Sequence, residues 1–206
     1  MNTSEEFKNK KYTVVKNAID KNLTEFITQY ALFDEMQDFT EDTHQVLGAH
    51  AKYADPVMET LLLKLHPLME ETTGLSLYPT YAFHRVYRNG AILHPHKDRP
   101  ACEISTTISF NYSYDDTNYQ WPIIIDGVKI NLKPGDMAIY RGIELEHSRE
   151  MFNPKEDGWH VQAFLHYVDV NGPHSDWKWD KRDSVGLLNS PKKPTQQERT
   201  YITYVN

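Results

Sequence analysis

The chain has 206 residues, 39% of them hydrophobic and 25% charged, which is the composition of a soluble globular protein and excludes a largely disordered chain. The 22 basic and 29 acidic side chains give a net charge of −7, so a broad nucleic-acid-binding or anionic-membrane-binding surface is not expected. At this length we expect a single domain over residues 1–206, with a core that buries most of its apolar surface.

The first third of the chain, residues 1–75, is predicted to be a helical region that supports the rest of the molecule. A short strand is predicted first, over Lys11–Lys16. Apolar residues then recur at the spacing of one helix face, at Leu23, Phe26, Ile27 and Tyr30. Core packing is the simplest explanation of such a stripe, and we therefore expect this helix to cover another element.

A second helix is predicted to begin at Asp55 and Pro56, a capping residue followed by a residue suited to the first helical position. Gly74 is expected to end this helix, because glycine readily adopts the left-handed conformation found after many helices. Pro67 lies inside the helix and is expected to kink or split it. The apolar stripe consists of Met58, Leu61, Leu62, Leu65 and Met69.

From about residue 79 the apolar pattern changes to the period of two that is typical of strands. Strands are predicted over 79–88, 104–111, 123–125, 128–130, 137–140, 145–149 and 159–168. Asp126-Gly127 favours a type I′ turn and therefore a tight hairpin. Many short antiparallel strands indicate an α+β, mainly β fold, a β-sandwich or jelly roll with the N-terminal helices packed on one sheet.

Residues 173–206 are predicted to be an irregular C-terminal tail. Trp177 and Trp179 are expected to dock against the body of the protein, because large aromatic side chains are seldom left in water. Pro191 and Pro194 mark a looser segment. The β-rich core at 79–168 thus lies between a helical region and this tail.

The segment from His94 to Asp98 joins the first two strands of the β-rich region. In an extended chain residues i and i+2 face the same side, so His96 and Asp98 project together. An imidazole and a carboxylate are two ligands for a divalent transition metal. The alternative is a surface histidine beside an aspartate.

His147, on a later predicted strand, is the candidate for a third ligand. Two histidines and one carboxylate on one face leave adjacent coordination positions open. That arrangement suits non-haem Fe(II), which binds a co-substrate and O2 side by side. Zn(II) more often recruits further histidines or cysteines into a closed site.

The order of these motifs resembles that of the Fe(II)/2-oxoglutarate-dependent dioxygenases, particularly the prolyl 4-hydroxylase-like branch. The matching segments are Arg85–Gly90, His96–Asp98, Cys102–Ser105, Lys133–Tyr140, and His147 with its following strand. They extend over about residues 79–168, whereas the helical region matches loosely and the tail does not match. The resemblance implies a double-stranded β-helix (jelly roll), in agreement with the strand pattern.

The resemblance also implies that His96, Asp98 and His147 bind Fe(II). It implies that Tyr87 lines the pocket for 2-oxoglutarate, although a core tyrosine is an alternative. His94 falls at a non-ligand position and is interpreted as part of the rim. The implied reaction uses Fe(II), 2-oxoglutarate and O2, hydroxylates an unactivated C–H bond, and releases succinate and CO2. Asp98 is the carboxylate that related iron halogenases lack, so oxygen insertion is the expected chemistry.

In one respect the sequence departs from this family. The distal carboxylate of 2-oxoglutarate is usually held by a lysine or arginine at the start of the final strand, where His160 stands here. Arg149 is the best cationic alternative, because it lies two residues after His147 and so points to the same side. Arginine offers a planar, charged fork to a carboxylate. His160, Arg85 and Lys155 are the other candidates, and Arg149 could instead have a structural role.

Two other functions fit the same fold. A cupin-like metal-dependent dioxygenase would not use 2-oxoglutarate, and a non-catalytic ligand-binding jelly roll would contain the three ligands by coincidence. Cupins usually bind metal through three histidines, so Asp98 disfavours the first. Phe164 is a plausible wall of a dry active site.

The expected partner is a small-molecule, amino-acid or peptide substrate, with no nucleic acid and no membrane, and the oligomeric state is left open. Cys102 is the only cysteine, which excludes an intramolecular disulfide and favours a reducing compartment. The N-terminus lacks the apolar segment of a signal peptide. We therefore expect a cytoplasmic protein.

Overall fold

The computed structural model describes residues 3–42, 45–114, 118–154 and 157–187. Within these ranges the α-helices are Thr3–Lys10 (α1), Lys21–Gln37 (α2) and Pro56–Thr73 (α3). The strands are Tyr12–Val15 (β1), His50–Tyr53 (β2), Leu77–Arg88 (β3), Leu93–His96 (β4), Ile104–Ser113 (β5), Ile123–Ile125 (β6), Val128–Ile130 (β7), Met137–Arg141 (β8), His147–Arg149 (β9) and Trp159–Asp169 (β10). Short 3₁₀ helices cover Pro100–Cys102 and Ser175–Lys181.

The strands form two antiparallel sheets. The six-stranded sheet has the order β1-β8-β5-β10-β3-β2, and the four-stranded sheet has the order β4-β9-β6-β7. Ile123 and Ile125 of the small sheet pack with Ala138 and Tyr140 of the large one, so an apolar layer joins the two. This arrangement is the predicted jelly roll, and the α+β, mainly β class is confirmed.

The helices pack on the six-stranded sheet, as predicted. Ile27 of α2 and Leu62 of α3 belong to the same buried cluster as Val86 of β3 and Leu165 of β10. Phe26 was predicted to share this face, but its side chain is 61% exposed. The buried face of α2 instead follows residues 24, 27, 28, 31 and 35, which places position 26 toward solvent.

Helix α3 has the predicted ends. The Asp55 carboxylate accepts hydrogen bonds from the backbone N–H groups of Val57 and Met58, and Gly74 ends the helix with φ +71°. Pro67 does not split the helix, which continues from Pro56 to Thr73. Its ring is exposed, on the side where water can satisfy the carbonyl that a proline leaves without a partner.

The predicted hairpin and the docked tryptophans are also present. Asp126 and Gly127 both have positive φ values, 49° and 77°, as a type I′ turn requires. Trp177 packs against a small cluster around Tyr81, and Trp179 packs against the large core. Pro191 and Pro194 lie outside the described residues.

The sequence patterns missed three short elements, α1, β2 and β4, because each is too short to show a full apolar period. The strand predicted over 145–149 is shorter and covers only β9. Among the described residues no helix combines the length and the hydropathy needed to cross a membrane.

We expect Leu62→Ala to lower the free energy of unfolding by about 2–5 kcal/mol, because it leaves a cavity in the layer between α3 and the sheet. Leu62 is 0% exposed, whereas Leu47 is 71% exposed and serves as a control for which Leu47→Ala should cost about 0.5 kcal/mol or less. Urea denaturation measures both. Equal costs for the two variants would show that the helices do not fold as one unit with the jelly roll.

Candidate metal centre

The pairing of β4 with β9 brings the two predicted histidine ligands together. In this antiparallel pair His96 lies opposite His147, and Leu93 lies opposite Arg149. An irregularity in β4 between Leu93 and His96 allows the strand to leave the sheet directly after His96. Asp98 then follows two residues later, so its side chain faces the same space.

The three side chains have the geometry of a metal-ligand group. Asp98 Oδ1 lies 3.7 Å from His96 Nε2 and 3.5 Å from His147 Nε2. One donor atom from each residue lies within 4.8 Å of the other two. The rings of His96 and His147 are 4.3 Å apart between centroids. The structure therefore brings together the three residues that the sequence indicated.

Backbone carbonyls orient both histidines. His96 Nδ1 lies 2.8 Å from the carbonyl oxygen of His94, and His147 Nδ1 lies 3.0 Å from that of Leu145. A carbonyl oxygen can only accept, so each Nδ1 carries the proton and each Nε2 presents a lone pair. Metal-binding histidines are commonly oriented in this way.

The Asp98 carboxylate is fixed on its other side. Its Oδ2 accepts a hydrogen bond of 2.8 Å from Ser105 Oγ, and its backbone N–H donates to the carbonyl of Gly142. A Cβ at position 142 would lie 2.2 Å from Asp98 Oδ2 and 2.5 Å from the carbonyl oxygen of Cys102, so only glycine fits there. Burial raises the pKa of Asp98, but the surrounding hydrogen bonds and the electrostatic interactions with His147 and His166 outweigh it and hold that pKa below its usual value. Asp98 is therefore ionised at neutral pH.

The surroundings of His96 favour its neutral form. Burial lowers the pKa of His96, and the neighbouring His147 lowers it further. The side-chain amide of Gln45 lies 2.8 Å from His96 Nε2, while Gln45 Oε1 accepts from Arg85. This orientation makes the amide nitrogen a donor to Nε2, which agrees with a lone pair at that atom.

A cavity of about 760 Å³ opens from the three residues between the two sheets. Its wall includes the aromatic rings of Tyr81, Phe83 and Phe164, and the predicted role of Phe164 as a wall residue agrees with this position. Arg85 and His166 also line it. Arg149 and Tyr87, the two predicted 2-oxoglutarate contacts, do not belong to this lining.

Arg149 and Tyr87 lie together in a buried aromatic cluster. The Arg149 guanidinium sits 4.6 Å from the centroid of the Trp121 ring, and Tyr87 packs edge-on against the same ring at 4.7 Å. Arg149 Nη1 donates to the carbonyl of Trp121, but Nε and Nη2 are buried and have no acceptor among the described residues. Burial also lowers the pKa of Arg149 from its usual value. An acceptor is therefore missing beside this guanidinium.

The other described candidate anchors, His160 and Arg85, have more hydrogen-bond partners, although Arg85 Nε has none among the described residues. His160 Nδ1 lies 2.7 Å from the Tyr114 hydroxyl, and its Nε2 lies 3.0 Å from Ser109 Oγ. Burial and the nearby Arg149 charge keep the pKa of His160 well below its usual value, so it carries no positive charge. Arg85 donates to Asp42, Gln45 and Tyr87. Lys155 lies outside the described residues.

A second group of possible ligands, Asp34, His50 and His84, lies beneath α2. The backbone N–H of Thr40 donates to His50 Nδ1, which leaves His50 Nε2 as a donor to Asp34 at 3.0 Å. Lys52 binds the other carboxylate oxygen of Asp34. Asp34, His50 and Lys52 thus form a hydrogen-bonded ion-pair network, whereas neither ring nitrogen of His84 has a hydrogen-bond partner among the described residues.

No protein-family model and no curated protein sequence matches the chain. Solved structures with the same fold do exist. A prolyl-4-hydroxylase from Pseudomonas putida has a TM-score of 0.63 and 12% sequence identity, with 80% of this chain and 96% of that one covered. The 2-oxoglutarate-dependent epimerase SnoN from nogalamycin biosynthesis has a TM-score of 0.69 and 12% identity, with 94% and 91% covered.

HygX from Streptomyces hygroscopicus, solved with nickel, 2-oxoglutarate and hygromycin B, has a TM-score of 0.60 and 10% identity, with 80% of this chain and 85% of that one covered. SnoN is a non-haem enzyme that depends on 2-oxoglutarate, and HygX binds nickel together with 2-oxoglutarate. Identities this low establish a shared fold. The jelly roll of this chain is thus the fold of the 2-oxoglutarate-dependent oxygenases, which the motifs had indicated.

The sequence reasoning did not assign functions to Ser105, Gly142 or His166. Ser105 and Gly142 support the Asp98 carboxylate, and His166 lines the cavity. The only sequence signal for His166 was its position on the predicted strand, an even number of residues from both His160 and Phe164. In a strand this spacing places all three side chains on one face. Nothing in the sequence connects position 142 with position 98.

We expect Ser105→Ala to weaken divalent-metal binding by about 10- to 100-fold, because Asp98 loses the hydrogen bond that orients it. Anaerobic titration with Fe(II) measures the dissociation constant. Ser148→Ala is the matched control, since Ser148 is next to His147 on β9 but faces the other side of the strand. Unchanged metal affinity in Ser105→Ala would contradict a ligand role for Asp98 in this orientation.

Proposed function

We propose that the protein is an Fe(II)- and 2-oxoglutarate-dependent oxygenase that hydroxylates an unactivated C–H bond of a small-molecule, amino-acid or peptide substrate. The observation that carries this proposal is the convergence of two Nε2 lone pairs and one carboxylate oxygen at the edge of a jelly-roll cavity. The same fold occurs in proteins that bind iron or nickel together with 2-oxoglutarate.

The donor set suits Fe(II). His96, Asp98 and His147 supply two neutral nitrogens and one anionic oxygen, the set found in non-haem iron sites with open positions. The backbone carbonyls that hold both Nδ1 atoms and the Ser105 hydroxyl that holds Asp98 Oδ2 fix the three donors before a metal binds. The alternative cupin-like dioxygenase is disfavoured, because its usual ligands are three histidines.

Arg149 is the proposed partner of the distal carboxylate of 2-oxoglutarate. It is two residues from His147 on β9, a separation of about 6.7 Å along a strand, which is comparable to the length of a five-carbon dicarboxylate. Its two unpaired nitrogens, Nε and Nη2, offer the fork that a carboxylate binds. Tyr87 lies beside this guanidinium and is proposed to close the same end of the pocket.

The residues of the chain then have separate roles. His96, Asp98 and His147 would hold Fe(II), which together with 2-oxoglutarate and O2 supplies the oxidising chemistry that yields succinate, CO2 and a hydroxylated product. Arg149 and Tyr87 would orient 2-oxoglutarate. Phe83 and Phe164, stacked with ring centroids 4.6 Å apart, would exclude water from the reacting C–H bond.

Asp98→Ala is expected to abolish turnover that depends on both Fe(II) and 2-oxoglutarate, because it removes the anionic ligand of the metal. Succinate release across a panel of amino-acid, peptide and small-metabolite substrates measures this activity. The wild type should require both additions. Wild-type binding of a panel member without succinate release would favour the non-catalytic jelly roll instead, and full activity of Asp98→Ala would refute the ligand assignment.

Arg149→Ala is expected to weaken 2-oxoglutarate binding by about 10- to 150-fold, because a buried hydrogen bond between charged groups is worth about 1.5–3 kcal/mol. Arg149→Lys should recover part of the loss, since a point charge replaces a fork. Calorimetric titration of the metal-loaded protein measures both, and metal affinity should be nearly unchanged.

The wild-type affinity for 2-oxoglutarate should be constant between pH 6 and 8.5, because an arginine remains charged throughout this range. A His160 anchor would need a proton that its lowered pKa does not retain at these pH values. Unchanged 2-oxoglutarate affinity in a folded, metal-binding Arg149→Ala variant would overturn the assignment of Arg149.

A further inference from the structure

His166 is a buried histidine beside the metal ligands that the proposed function leaves without a role. It lies on β10 and lines the cavity, and its Nε2 is buried with no hydrogen-bond partner among the described residues. An unpaired polar atom in such a position costs free energy, so it calls for an explanation.

The hydrogen bonds around Ser105 determine which nitrogen of His166 carries the proton. Ser105 Oγ lies 2.8 Å from Asp98 Oδ2, 3.0 Å from the carbonyl oxygen of Cys102 and 2.9 Å from His166 Nδ1. The carboxylate and the carbonyl can only accept, so the single proton of the serine hydroxyl is directed to one of these oxygens. His166 Nδ1 must therefore be the donor to Ser105 Oγ.

It follows that His166 Nε2 has a lone pair and can only accept a hydrogen bond. Burial supports this, because it lowers the pKa of His166 to about 4 and the ring is uncharged at neutral pH. The cluster of Asp98, Cys102 and His166 is not a second metal site. Burial raises the pKa of the Cys102 thiol, which lies 3.1 Å from the Tyr81 hydroxyl and stays protonated.

Aromatic rings flank the acceptor. The imidazole of His166 lies 4.6 Å from the ring centroid of Tyr81 and is stacked on Phe83 at 5.8 Å. Phe83 is in turn stacked on Phe164. The cavity therefore has an aromatic wall with the buried, unpaired Nε2 atom of His166 beside it.

We propose that His166 is a substrate-positioning residue, whose Nε2 accepts a hydrogen bond from a hydroxyl or N–H group of a substrate whose apolar body lies on the Tyr81–Phe83–Phe164 wall. The proposal rests on the proposed function, and it names the chemical class of the substrate in that site. A lone pair repels anions, so the group that His166 contacts is a neutral donor and not a carboxylate or phosphate.

The chain Asp98–Ser105–His166 gives this contact a fixed position relative to the metal. Because Ser105 binds both Asp98 and His166, the acceptor atom is held at one orientation to the metal ligand. A donor group bound at His166 would place a neighbouring C–H bond of the substrate at a reproducible distance from the metal centre.

The test uses two matched probes, phenol and anisole, which have the same ring but differ in the donor proton. Phenol should bind wild-type protein, loaded with Zn(II) and 2-oxoglutarate, about 2- to 12-fold more tightly than anisole, as expected for one neutral hydrogen bond. In ¹⁵N-histidine-labelled protein, phenol but not anisole should shift the Nε2 resonance of His166, and Nδ1 should carry the proton.

Three variants complete the test. His166→Phe keeps the ring stacking but should lose the preference for phenol, with metal and 2-oxoglutarate affinities within about 2-fold of wild type. His166→Gln should recover part of the preference, because its amide oxygen can accept. His174→Phe, outside the cavity lining, should behave as wild type.

An Nε2–H tautomer in the wild type, or equal binding of phenol and anisole, would overturn the proposal. A preference for phenol that persists in His166→Phe would also overturn it. Failure of the proposed function has a different signature, namely loss of metal and 2-oxoglutarate binding in the wild type, and the tautomer can still be measured in the metal-free protein.

Discussion

The antiparallel pairing of β4 with β9 is the constraint on which the candidate site depends. It sets His96 opposite His147 and Leu93 opposite Arg149, so one short ladder positions two metal-ligand candidates and the proposed 2-oxoglutarate anchor. A slip of one residue would turn every side chain of a strand to the opposite face, and both histidines would no longer meet Asp98. Strand β9 also pairs with β6, and Ile123 and Ile125 of β6 pack in the apolar layer between the sheets, so a slip of β9 would disturb that pairing as well.

Burying Asp98 creates an electrostatic problem that the surrounding residues solve. An isolated buried carboxylate would take up a proton and would be a poor metal ligand. Here the hydrogen bond from Ser105 and the nearby His147 stabilise the anion. The space for this arrangement exists only because position 142 has no side chain. The same serine hydroxyl contacts His166, so the candidate metal ligands and the proposed substrate contact share one hydrogen-bond network.

The fold neighbours separate architecture from specificity. SnoN, HygX and the Pseudomonas prolyl-4-hydroxylase share this jelly roll at 10–12% identity, yet the first is an epimerase, the second binds hygromycin B and the third is a prolyl hydroxylase. A common fold therefore does not define the substrate of this chain. We expect the substrate specificity of this chain to depend on cavity residues other than the candidate metal ligands. Examples are the buried acceptor of His166 and the aromatic wall beside it.

Local physical chemistry made part of this protein readable from sequence. The Asp55 cap, the Asp126-Gly127 turn and the shared direction of His96 and Asp98 depend on residues a few positions apart, so the sequence alone determined them. The burial of Phe26 was misjudged, because the solvent exposure of a helix face depends on what packs against it. The motif order indicated that His147 joins His96 and Asp98, but the need for glycine at position 142, the unpaired nitrogens of Arg149 and the tautomer of His166 were decided only by the tertiary structure. Each depends on groups that the chain brings together from distant strands, and no spacing along a sequence encodes which of them will be neighbours.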